Sequence, residues 1–137
     1  MSDLTNYTEG EFRDWMSQGV APDTAPDPIY VGLHTADPGE TPDGSTEVGS
    51  GDYARVSVTA GSGWDTPNPN DFQNASEISF GEATNNWGTI SHVSLWDDTK
   101  GAAGENCLAN YALNTSKAID SGDEAVFRTG DLSFSLD

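Results

Sequence analysis

Cations are scarce in this sequence. Five Lys and Arg residues stand against 23 Asp and Glu in 137 positions, for a formal net charge of −18. The only ammonium groups are those of Lys100 and Lys117. A phosphate backbone is bound by Lys and Arg that displace its counterions, so nucleic acid is not an expected partner. An anionic membrane surface is disfavoured for the same reason. Cysteine is nearly absent too. With Cys107 alone, neither an internal disulfide nor a thiolate metal cluster is possible. No apolar run approaches the roughly 20 residues of a membrane span, and no basic segment precedes an apolar one at the start. Neither a membrane anchor nor the usual secretory signal is expected.

What the chain does contain is acid spread from Asp3 to Asp137 among Trp, Phe, Ile, Leu and Val. A disordered acidic tail would lack those apolar residues. Like charge at this density destabilises a compact state by self-repulsion. In molar salt the screening length falls to about 3 Å, from about 10 Å at 0.1 M, and the repulsion is largely removed. The composition therefore describes a folded protein suited to a hypersaline medium, with an ordinary acidic surface protein as the alternative. The length suits one domain that buries about two thirds of its unfolded-chain surface. Only 34% of residues are hydrophobic, so four Trp, five Phe and four Tyr must supply much of the core. Fifteen Gly and seven Pro favour many turns over long helices.

The spacing predicts one helix near the start. Thr8 and Glu11 fit a capping box, with Tyr7 and Phe12 as its hydrophobic staple. Phe12, Trp15 and Met16 then share a face, and Gly19 suits a left-handed end. A helix this short is marginal alone and must pack on the domain or on a neighbour. Pro22, Pro26 and Pro28 make residues 21–28 an extended connector. From Ile29 the period becomes two. Ile29, Val31 and Leu33 alternate with Tyr30, Gly32 and His34, giving a strand with one buried face. Residues 37–51 read as a long acidic loop. In 53–59, Val56 and Val58 are expected inward, with Arg55, Ser57 and Thr59 outward. Residues 61–74 read as a second loop, and further strands are expected at 77–80, 88–97, 107–113, 124–129 and 132–136. About seven short strands separated by turns argue for an all-β fold, an antiparallel β-sandwich with a short N-terminal helix. The division expected is 1–28, helix and Pro-rich connector, and 29–137, the sandwich.

Chemical motifs are few. No Gly-x-Ser-x-Gly elbow is present, and His34 and His92 each lie in an alternating strand, where a structural role is expected. A metal held by that pair would require neighbouring strands and a carboxylate as third ligand. Asp37, Glu40, Asp43 and Glu47 lack the spacing of the twelve-residue calcium loop. A solvated loop is expected there, with a structural cation as the alternative. No catalytic residue, metal site or cofactor is assigned. Cys107, in an alternating run, is expected to be a buried inert thiol. Sequons at Asn6, Asn74 and Asn114 have no signal to carry them across a membrane. Trp64, with Asn68 and Asn70 beside it, is the best candidate for a sugar contact. Trp87 and Trp96 are expected in the core.

The order of several segments carries a resemblance. Tyr30 to Glu40, then Thr46-Glu47-Val48 with Asp52-Tyr53-Ala54-Arg55, then Trp87 to Val93 with Leu95-Trp96-Asp97, then Leu113 to Lys117, and finally Ser121-Gly122-Asp123 with Gly130-Asp131-Leu132 follow one another. Together they resemble the small virion proteins of tailed phages labelled tail-fibre-like or head-fibre proteins. The likeness spans nearly the whole chain and includes the short helix before the first strand. It departs in charge, because positions that are neutral in the family are often acidic here, and at Gly49-Ser50-Gly51-Asp52.

The resemblance implies a structural virion component and no catalytic residues. Tyr53, Arg55 and Gly88 would be fold devices: an aromatic in the core, an Arg with a carboxylate partner, and a Gly at a bend. Combined with the charge, it implies a virion protein of a tailed virus infecting a halophilic archaeon, assembled in the host cytoplasm. Capsid decoration, a turret or a head-fibre subunit is the expected role, as a homo-oligomer in contact with the major capsid protein or tail proteins. Phe12, Trp15 and Met16 would form the docking face. The alternative is a tail-fibre-associated glycan-binding module that uses Trp64, Asn68 and Asn70.

Overall fold

The computed structural model describes residues 2–22 and 25–137. Residues 23 and 24 of the expected connector, and Met1 of the expected arm, lie outside them. One helix, α1 (Asn6–Gln18), precedes nine strands. These are β1 (Ile29–His34), β2 (Val56–Val58), β3 (Trp64–Asp65), β4 (Asp71–Asn74), β5 (Ile78–Glu82), β6 (Gly88–Trp96), β7 (Cys107–Ile119), β8 (Glu124–Phe127) and β9 (Ser133–Ser135). They form three antiparallel sheets, ordered β2-β1-β6-β7, β3-β4-β9 and β5-β8. The all-β, sandwich-like reading with a short N-terminal helix therefore holds.

One face of the four-stranded sheet carries Val31, Val93, Leu95 and Ala109, which pack with Leu132, Phe134 and the half-buried Phe72 from the three-stranded sheet. Farther along the same strands, Leu33 and Ile90 join Tyr53, Trp87, Ile119 and Ala125 in a second cluster. Aromatic rings do much of the filling. Phe72 stacks on Phe134 at 5.4 Å, and Tyr111 meets Phe134 edge-on at 4.9 Å. Interior positions that a chain richer in Leu and Ile would fill with aliphatic groups are occupied here by large rings.

The opposite face of β1 is not solvated, which corrects the single-faced reading. Gly32 and His34 are as buried as Val31 and Leu33. Loop residues 35–55 fold across this face and bring Glu47, Tyr53 and Arg55 over Gly32, Ser94 and Trp96. Arg55 accordingly points inward rather than outward. Its guanidinium donates to Glu47 at 2.7 and 2.9 Å, to Glu105 at 2.5 Å and to the Asp98 carbonyl at 2.9 Å, and it stacks 3.9 Å from the Trp96 ring centroid. Tyr53 donates its hydroxyl to Glu47 and accepts the Leu33 N–H, both at 2.8 Å. Alternation assigns a side only when one face of a strand is wet. Once a loop covers the second face, a paired charge can be buried there.

Other elements differ from expectation for local reasons. The 61–74 stretch holds β3 and β4, made too short for pattern reading by the turns at Gly61 and Asn68. Strand β7 runs to Ile119 instead of ending near Leu113. From Ile90 to His92 the pairing advances two residues on β6 but five on β7, from Lys117 to Ala112, so residues 113–116 form a bulge opposite Ser91. That bulge breaks the alternation a sequence reading relies on. Gly88, beside Trp87 at the start of β6, takes φ +92°, the bend expected of it.

Candidate docking surface

Helix α1 is fastened to the body by its first turn and by the residues before it. Asp3 and Thr5 pair with β7 through Asn110 N–H to Asp3 carbonyl (2.8 Å) and Thr5 N–H to Leu108 carbonyl (3.1 Å), and Asp3 N–H reaches Ser135 on β9. The hydroxyl of Thr5 donates to the Cys107 carbonyl at 2.5 Å, and that of Thr8 to the Leu108 carbonyl at 2.8 Å. The expected capping box is therefore absent in that form. The helix begins at Asn6 with Thr5 as N-cap, and Thr8 spends its hydroxyl on the sheet. A long-range carbonyl on β7 has outcompeted the local N–H groups. Gly19 ends the helix in the left-handed conformation, as expected, and its N–H bonds the Trp15 carbonyl at 3.2 Å.

Beyond that anchored turn, α1 buries none of its own residues. Phe12, Trp15 and Met16, spaced i, i+3 and i+4, are 43%, 54% and 75% exposed. Val20 and Leu136 are also exposed. Between the helix and the sheet runs a groove of about 410 Å³, lined by Leu4, Tyr7, Phe12, Pro22, Pro26, Ile29, Phe72, Leu108 and Leu136 among others. Its lining carries little polar surface apart from Thr8, Glu11 and Asp97. The three docking candidates thus lie on one helix face, and Phe12 among them lines the mostly apolar groove.

The glycan candidates separate. Trp64 is half-buried, meeting Phe72 at 5.5 Å and Phe134 at 6.3 Å, and its indole N–H is buried without a partner among the described residues. Asn68 and Asn70 are exposed on the following turn. There the Asn68 amide oxygen accepts the Asn70 and Asp71 N–H groups at 2.8 and 2.9 Å, and its amide nitrogen donates to Asp71. Asn68 lines a shallow depression with Thr66, Pro69, Asp71, Phe72 and Leu136, a set that does not include Trp64.

The titratable groups are structural in their surroundings. His34 and His92 face each other across β1 and β6, so their strands are indeed neighbours. Both ring nitrogens of His34 are already occupied, by Thr46 at 2.8 Å and Ser94 at 2.6 Å, and burial pulls its pKa down to about 4. Burial pushes the Cys107 thiol up to about 12, as an inert core thiol requires. The Asp52 carboxylate is held well below the usual range, first by the Ser50 hydroxyl and then by the Thr84 N–H and the Trp87 indole. Asp52 therefore pins the loop it belongs to. Among the described residues no group of three or more His, Cys, Asp or Glu side chains is arranged to hold a metal ion. Of the acidic-loop candidates, Glu47 is taken by Arg55 and Tyr53, while Asp37 and Asp43 accept backbone N–H groups two residues on. Among those residues, too, no helix is long and apolar enough to cross a membrane.

Sequence reasoning missed Glu47 as the partner of Arg55. The shared Thr46-Glu47-Val48 and Tyr53-Ala54-Arg55 motifs were the available signal. It missed the groove altogether, because a groove lies between elements distant in sequence.

The protein is thus a small all-β body with an anchored helix whose apolar stripe is left open. Residues 3–135 match the family of podophage GP4 fiber I protein gp80, and the chain belongs to that family. It is therefore a phage fibre-like protein with a structural association with the virion. No curated protein matches it.

Proposed function

We propose that this chain is an accessory structural subunit on the virion of a tailed virus of a halophilic archaeon. Its role is capsid decoration, a turret or a head fibre, without enzymatic activity and as a symmetric homo-oligomer. The observation that carries the docking part is the stripe of Phe12, Trp15 and Met16, left open on a helix that buries none of its own residues. A helix of 13 residues is marginal in isolation and is stabilised when its apolar face finds a groove or a second helix. Within the arm at residues 1–28, the outer face of α1 is the docking unit, since residues 3–8 are bonded to β7 and β9. Fibre-family membership supports a partner among the capsid or tail proteins. The net charge of −18 supports the saline host.

The test is incorporation. Particles assembled with the triple variant Phe12→Ser, Trp15→Ser, Met16→Ser should lack the protein, while its isolated fold is unchanged by circular dichroism. Normal incorporation would sink the docking face. The copy number per particle relative to the major capsid protein then decides location. A symmetry-related ratio supports decoration or a turret, and a handful of copies supports the tail and a glycan-binding role in attachment.

A further inference from the structure

A second cleft lies away from α1, between β7 and β8. It has a volume of about 850 Å³, within the range of pockets that hold small ligands. These two strands are joined by a tight turn yet pair with different neighbours, β7 with β6 and β8 with β5, so a gap opens between them. The bulged residues Asn114 and Thr115 line it, and their side chains make no hydrogen bond among the described residues.

The cations are distributed unevenly. Arg13 pairs with Asp14, Arg55 with Glu47 and Glu105, and Lys100 donates to the Val48 carbonyl. The remaining two, Lys117 and Arg128, both line this cleft. Neither has a carboxylate within 4.0 Å among the described residues. In a chain with 23 carboxylates, two unmatched cations converging on one cleft is unexpected on composition alone. Three carboxylates also line it. Glu124 accepts the Ser79 hydroxyl and Asp131 accepts the Arg128 N–H, which leaves Glu77 as the third. The local ratio of two cations to three carboxylates contrasts with five to 23 overall. Beneath these groups the floor is apolar, with Ile90, Ile119 and Leu113.

We propose that this cleft binds an acidic saccharide. The acid group would lie against Lys117 and Arg128, the hydroxyls against Asn114 and Thr115, and the apolar ring face on the floor. A bare inorganic anion would use the cations but not the floor, and a neutral sugar would leave the cations unmatched. In strong salt the repulsion from distant carboxylates is screened, while contact hydrogen bonds to charged groups persist. The inference does not depend on α1 or on where the protein is placed in the virion.

The experiment is an NMR titration of the full chain in 1 M KCl with trigalacturonate, galactotriose and pentaglutamate as probes. Trigalacturonate should shift the amides of 113–117 and 124–128. The Lys117→Gln, Arg128→Gln variant should bind it at least about tenfold more weakly, since it removes both charged hydrogen-bond donors. Arg13→Gln, on α1 and far from the cleft, should leave binding unchanged. No shift at these amides with trigalacturonate overturns the proposal, as does equal affinity for galactotriose. Equal affinity for pentaglutamate would make the cleft a site for acidic peptide instead. Unchanged binding by the double variant would remove Lys117 and Arg128 from the site.

Discussion

The Arg55 guanidinium lies 2.7 Å from the Glu47 carboxylate, and both side chains are sealed from solvent, at 1% and 0% exposure. The pair sits between the sheet and the loop that crosses it, with Trp96 stacked on one side and the Tyr53 hydroxyl on the other. A buried charge without its partner is far more costly than an intact pair. Arg55→Ala should therefore lower the unfolding free energy by about 3–5 kcal/mol. Because the contact is buried, most of that loss should persist in high salt. Urea denaturation in 0.1 M and 1 M KCl checks both statements, and unchanged stability in high salt would show the pair to be dispensable.

Gly32 makes that arrangement possible. A Cβ there would meet the Ser94 Oγ at 2.8 Å, Glu47 Oε2 at 3.1 Å and Trp96 Nε1 at 3.3 Å. The backbone at Gly32 is ordinary strand, so the constraint is space rather than conformation. Gly32→Ala should cost about 1–3 kcal/mol by overpacking, measured by thermal unfolding. Gly49→Ala, with nothing within 4 Å of its added Cβ, should cost far less.

His34 gives the fold a defined acid sensitivity. Its pKa falls from the ordinary 6.5 to about 4, chiefly through burial, with Arg55 adding to the fall and Glu47 opposing it. Below pH 6.5 the unfolded chain takes up a proton that the folded chain refuses. The contribution of neutral His34 is thus present above pH 6.5 and lost as the pH falls to about 4. The loss amounts to about 3 kcal/mol. The stability advantage over His34→Gln should shrink across that window, and an NMR titration of the imidazole should give a midpoint near the lower end. A midpoint near 6.5 would contradict the buried, doubly bonded imidazole.

Salt should act on the fold as a whole. With a net charge of −18 and most carboxylates exposed, raising KCl from 0.1 M to 1 M should raise the unfolding midpoint markedly. A melting series in KCl checks this, and a flat series would favour the ordinary acidic surface protein over the halophilic one.

By itself the sequence determined the features that depend on neighbours along the chain. Residues 12, 15, 16 and 19 give the helix its stripe and its end, because a 3.6-residue period and a left-handed glycine are local matters. Alternation at 29–34 and 132–136 located strands. Tertiary structure alone decided which face of β1 is covered twice, why Arg55 turns inward, and that Thr8 bonds a carbonyl 100 residues away instead of capping its own helix. It also decided that Trp64 joins an aromatic cluster while Asn68 stays outside, and that Lys117 and Arg128 line one cleft. Those outcomes depend on which segments the fold brings together. Burial and hydrogen-bond satisfaction are settled by neighbours in space, and a one-dimensional pattern does not specify them.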